Sequence, residues 1–107
     1  MNMKVVTLRV VSDFVDSLDM PIRSDVEALV ALLGQYGHAL SMPYAKPIGH
    51  RLWELRRTGR PHIRVLYGFV QGHAVLVLAL KKQRSSLRQK ELTLARKRFE
   101  AYCDDIA

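Results

Sequence analysis

Arg56, Arg64, Lys81, Lys82 and Arg84 are the side chains best suited to chemistry, because they stand within or just after runs of apolar residues at strand-like spacing. Those runs are Leu52-Trp53-Glu54-Leu55-Arg56, Ile63-Arg64-Val65-Leu66-Tyr67 and Val77-Leu78-Ala79-Leu80-Lys81-Lys82. An arginine fork donates two parallel hydrogen bonds to a phosphate and stays charged at any physiological pH. On a rigid sheet, such a cluster can hold a phosphodiester and stabilise the charge that grows on its non-bridging oxygens during transfer. If the ligand is RNA, its own 2′-hydroxyl can be the nucleophile, with no metal and no protein nucleophile. The plainer reading is that these cations keep a sheet face soluble or pair with Glu54 and Glu91.

The charge of the whole chain leans the same way. Met1 to His50 carries four Lys/Arg against five Asp/Glu, whereas Arg51 to Ala107 carries thirteen against five. The second half is therefore a candidate surface for a polyanion. With 107 residues the chain fits one small domain, 1–107, burying about 60 to 65% of its unfolded surface. One cysteine, Cys103, excludes an internal disulfide framework, and no Cys/His spacing resembles a zinc site. No stretch reaches the roughly 18 apolar residues of a spanning helix. Met1 to Val10 is too short, and too soon followed by acidic residues, for a signal peptide. The expectation is a cytoplasmic domain with no membrane partner.

Positioning these cations requires a sheet and something to pack on it. Lys4 to Val10 is rich in β-branched residues and predicts a first strand. Ser12 can cap a helix through Leu18 with Phe14, Val15 and Leu18 on its apolar face. A second helix follows after Pro21, with Ile22, Val26, Leu29, Leu33 and Tyr36 as its stripe and Gly37 as its stop. His38 to Gly49 reads as a long loop, interrupted by Pro43, Pro47 and Gly49 and displaying Lys46. Leu52 to Arg57, His62 to Val70 and His73 to Leu80 predict three strands, joined by Thr58-Gly59-Arg60-Pro61 and by a tight Gln71-Gly72 turn. Ser86 with Gln89, or Ser85 in its place, predicts a capped last helix bearing Leu92, Ala95, Phe99 and Tyr102. The fold class is α+β, a small, mainly antiparallel sheet with the helices packed on one face.

Residues two apart on a strand share a face. Trp53 and Leu55 should therefore oppose Leu52, Glu54 and Arg56, while Arg64 and Leu66 oppose Ile63, Val65 and Tyr67. In the third strand, Val75, Val77, Ala79 and Lys81 should oppose Leu76, Leu78, Leu80 and Lys82. Trp53 reads as core, and Tyr67 either stacks a base, donates a hydrogen bond or packs between layers. None of His38, His50, His62 and His73 has a carboxylate or nucleophile at a persuasive spacing, so each reads as structural or solvated.

The order and spacing of Leu52 to Arg56, Ile63 to Tyr67 and Leu80 to Lys82, followed by a basic helix, resemble the HigB-like branch of the RelE/ParE toxin superfamily, also called phage-derived Gp49-like proteins. The resemblance covers nearly the whole chain and implies a small twisted sheet against an N-terminal helical hairpin, with a C-terminal helix. It also implies a type II toxin–antitoxin toxin, a metal-independent endoribonuclease that cuts messenger RNA in the ribosomal decoding site and needs no cofactor. By matched motif, Arg64 is the central phosphate clamp. Lys81 and Lys82 neutralise the phosphate or help activate the 2′-hydroxyl, and Arg84 stabilises the leaving group or phosphorane. Lys46, Arg56, Arg57, Tyr67 and Arg88 are the expected RNA contacts. Where some members carry a tyrosine or histidine after the basic element, this chain has Ser85, Ser86, Leu87 and Arg88. The implied partners are the ribosome, messenger RNA, a helix-turn-helix antitoxin and, through it, operator DNA. A ParE-like gyrase inhibitor and an inactive RNA- or ribosome-binding module are the alternatives.

Overall fold

The structure is a computed structural model that describes residues 2–82 and 86–107. Strand β1 (Val5–Thr7) leads into helices α1 (Arg9–Asp16) and α2 (Ile22–Tyr36), then β2 (Ala45–Gly49), β3 (Leu52–Arg57), β4 (His62–Val70), β5 (His73–Lys82) and α3 (Gln89–Ile106). The five strands form one sheet in the order β1-β5-β4-β3-β2, antiparallel except where β1 runs parallel to β5. This is the RelE/ParE-like α+β architecture.

The first strand is shorter than the β-branched run from Lys4 to Val10 suggests. The Leu8 amide makes the last bond to the sheet, at Leu76 O, and the Leu8 carbonyl then accepts from Val11 and Ser12 to start α1. Ser12 thus lies inside the helix rather than capping it, with its hydroxyl donating back to Arg9 O at 3.0 Å. Val11 is buried, so the apolar stripe of α1 overrides the β-propensity of its valines. In α2, Val26 and Leu33 are the fully buried positions, as the stripe predicts.

The supposed loop before Leu52 contains a strand. β2 pairs with β3 through Ala45 opposite Leu55, Lys46 opposite Glu54 and Pro47 opposite Trp53. Pro47 is tolerated because β2 is the edge of the sheet. The connection to β3 uses His50 and Arg51, at φ 55° and 65°, in place of the Asn or Gly that normally marks such a turn. Between β4 and β5, Gln71 and Gly72 do take the expected positive φ, at 47° and 80°.

The helices do not share one face of the sheet. α1 and α2 pack on one side, where Val11, Leu18, Val26 and Leu33 meet Leu55, Ile63, Val65, Tyr67, Ala74 and Leu76. On the other side Ala95 and Phe99 of α3 meet Leu52, Leu66, Val75, Val77 and Leu78. Gly68 sits directly under Phe99, where any Cβ would overlap the ring. A register shift between Leu66 and Tyr67 pairs them with Leu78 and Leu76 and leaves Val77 as the extra residue of β5. Strict alternation therefore fails across β5: Val75 and Val77 lie on the same side as Leu78, not opposite it.

Candidate functional site

The register of the sheet decides which cations meet. Arg56 lies opposite Arg64, and Arg64 opposite Leu80, while the neighbouring row pairs His62 with Lys82. Directly paired residues share a face, so Arg56, Arg64, His62 and Lys82 all stand on the side that carries α3. Lys46, opposite Glu54, joins them from β2. The α3 N-terminus closes the group: Glu91 Oε1 accepts from Lys82 Nζ at 2.9 Å and from the Arg88 amide at 2.7 Å. That second bond caps α3 with Arg88 at the N-cap, so the helix starts at Gln89 rather than after Ser86.

This cluster is less open than the sequence suggests. Arg64 is 4% exposed, Lys82 6% and Glu54 2%. Arg64 Nη1 donates to Ile63 O and Arg57 O, both at 3.3 Å, which fixes the guanidinium against the end of the sheet. Glu54 Oε1 is 3.5 Å from Arg56 Nε and 3.6 Å from Arg64 Nε. These are charge contacts too long for good hydrogen bonds, and among the described residues they leave Glu54 Oε1 and Arg56 Nε buried without a hydrogen-bonding partner. Burial lowers the pKa of Arg64 and the Arg56 charge acts in the same direction, while Glu54 opposes both; the guanidinium nonetheless stays charged. Burial raises the pKa of the Glu91 carboxyl, but the Arg88 amide, the Lys82 hydrogen bond and the two nearby positive charges outweigh it and set the pKa below the ordinary value. The pairing with Glu54 and Glu91 foreseen as the plainer reading is thus present.

Two openings lead to the group. A cleft of about 710 Å³ is lined, among the described residues, by Arg60, Pro61, His62, Lys81 and Lys82. A second, of about 350 Å³, runs between β2 and the start of α3 and has Lys46, Glu54, Ser86 and Leu87 on its walls.

Other expected contacts fall elsewhere. Tyr67 is fully buried on the opposite side of the sheet, edge-on to Phe69 with ring centroids 5.6 Å apart. Burial pushes its phenol pKa well up, and its hydroxyl has no partner among the described residues. It packs between layers, and the expectation of an RNA contact there is corrected. Arg57 also lies on the hairpin side, held by Asp25 at 3.1 Å and by Pro61 O at 2.7 Å. Lys81, opposite Ile63, is exposed on that same side at the rim of the first cleft. Arg84 lies outside the described residues. Trp53 packs beside the hairpin core as expected.

Three residues near the cluster carry no sequence signal of their own. Tyr44 O accepts the Arg56 amide at 2.8 Å, extending the β2–β3 ladder by one residue and putting Tyr44 on the Arg56 side. Tyr44 is 46% exposed, and Met42, 56% exposed, brings its Sδ to 3.5 Å from Arg56 Nη1. His62 is the third. Only the pairing of β2 with β3 and of β4 with β5 reveals them. Among the described residues, no group of three or more His, Cys, Asp and Glu side chains is arranged to hold a metal ion, and no helix is long and apolar enough to cross a membrane.

A family profile described as phage derived protein Gp49-like (DUF891) matches residues 13–100. That span runs from the middle of α1 to well inside α3 and includes every member of the cation cluster. No curated protein matches the chain.

Proposed function

Because the chain belongs to the phage-derived Gp49-like family, we propose that it is a HigB-like toxin of a type II toxin–antitoxin pair that cuts messenger RNA on the ribosome. One observation carries this reading: Arg56 and Arg64 are cross-strand neighbours with Lys82 in the adjoining row, on a face that two clefts reach. A phosphodiester entering there meets Arg56, whose side chain keeps 19% of its surface exposed.

The reaction is attack of the ribose 2′-hydroxyl on the adjacent phosphorus, expelling the 5′-oxygen and leaving a 2′,3′-cyclic phosphate. Arg64, held by two carbonyls at 3.3 Å, cannot swing away and stabilises the non-bridging oxygens. Lys82 adds a second charge from β5. Glu54 and Glu91 hold these cations in place while no phosphate is bound. Tyr44 offers an exposed ring beside Arg56 on which a base can stack. The ribosome supplies the attack geometry that a chain of this size does not impose on free RNA. An antitoxin of helix-turn-helix type, bridging to operator DNA, is the expected partner.

Primer extension on messenger recovered from translating ribosomes tests the reading. Wild-type protein should create new codon-aligned 5′ ends, and Arg64→Ala should lower their rate of appearance by about 100-fold or more. Intact messenger together with inhibition of purified gyrase would overturn the proposal in favour of a ParE-like poison.

A further inference from the structure

The reaction moves a proton from the 2′-hydroxyl to the departing 5′-oxygen, and the cations of the site are poor acceptors for it. Arginine stays protonated, and Lys82 Nζ is already engaged by Glu91 Oε1 at 2.9 Å. Tyr67 is buried on the far side of the sheet.

Imidazole is the side chain that exchanges protons near neutral pH, and the structure sorts the four histidines by place. His38 lies against Phe69, with ring centroids 3.8 Å apart. His73 is bonded to the Tyr102 hydroxyl at 2.8 Å, and His50 occupies the β2–β3 turn. His62 differs from all three. It is the register partner of Lys82, lies two residues from Arg64 on the same face, and forms part of the wall of the larger cleft. Its Nδ1 is buried and has no hydrogen-bonding partner among the described residues. A histidine kept for packing alone normally has such a nitrogen satisfied.

We propose that His62 is the general base of the reaction, receiving the 2′-hydroxyl proton of a ribonucleotide seated in the cleft against Lys82. The assignment rests on the nuclease reading above. Neutral imidazole takes the proton as O2′ bonds to phosphorus. The P–O5′ bond breaks with its electron pair on O5′, which takes a proton from water, and the resulting hydroxide takes the proton from the imidazolium. Atoms and charge balance, and the base returns to its starting form.

The test is single-turnover cleavage of ribosome-bound messenger by wild type, His62→Gln and His62→Ala, with ribosome binding followed by co-sedimentation. The expected result is a fall of about 100- to 10,000-fold in the cleavage step, unchanged co-sedimentation, and partial recovery of His62→Ala when imidazole is added to the buffer. Recovery within one variant separates lost chemistry from lost folding. A His62→Gln rate within a few-fold of wild type overturns the assignment alone, as does loss of ribosome binding in parallel with loss of rate. Wild-type protein that leaves the messenger whole overturns the nuclease reading and the assignment with it.

Discussion

The two faces of the sheet are buried by opposite means. Against the helical hairpin, Leu55, Ile63, Val65, Tyr67 and Leu76 form a layer of hydrocarbon and aromatic rings. Under α3 the layer begins in the same way, with Leu52, Leu66 and Leu78 against Phe99, but it then gives way to Glu54, Arg56, Arg64, Lys82 and Glu91. Burying a leucine stabilises by about 1.5–3 kcal/mol, whereas burying paired charges is near neutral at best and harmful once a partner is removed. The hairpin face therefore supplies stability. The ionic end of the other face consumes some of it, as sites built for ligands commonly do.

The sharpest way to break this contrast is Glu54→Ala, which leaves Arg64 buried without its counter-charge. Stability should fall by about 3–5 kcal/mol in urea unfolding, and a loss near zero would show that the ionic end is wetter than its burial implies. Gly68→Ala comes next. The new methyl must displace the Phe99 ring, and a loss of about 1–3 kcal/mol is expected from overpacking, read as a lower thermal midpoint. Acid should probe the Lys82–Glu91 pair more gently. Because Glu91 titrates below its unfolded value, its contribution is complete above the ordinary glutamate range and fades as pH drops through the folded value. Glu91→Gln should therefore flatten the acid limb of the stability profile, and an unchanged slope between neutral and acid pH would count against the pair. The smallest effect belongs to the hydrocarbon face. Tyr67→Phe removes a buried hydroxyl with no partner among the described residues and should be neutral or slightly stabilising; calorimetry showing a clear loss would reveal a hidden partner.

The legible and illegible parts of this molecule divide on physical lines. Alternation correctly opposed Trp53 to Glu54 and Arg56 because β3 keeps its pairing with β4 from end to end. It failed in β5, where the extra residue at Val77 reverses the order of faces. It also missed β2, because a proline in the strand and a His-Arg turn hide a hairpin that edge position makes possible. That omission concealed Tyr44. The cations Arg56, Arg64 and Lys82 were legible one strand at a time, but their convergence is a property of register, which composition does not carry. Burial of Arg64 and Lys82 was equally hidden, since the carboxylates that make it tolerable come from β3 and from α3.

The parallel pairing of β1 with β5 sets an order of assembly. Val5 lies against Ala74, so the first strand to leave the ribosome has no place in the sheet until β5, the last, has been made. Contacts so distant along the chain form slowly, and the valines of β1 wait uncovered in the meantime. A truncated or stalled copy ending before β5 would lack both Lys82 and the neighbour of its own first strand, leaving β1 unpaired and a ready substrate for proteolysis.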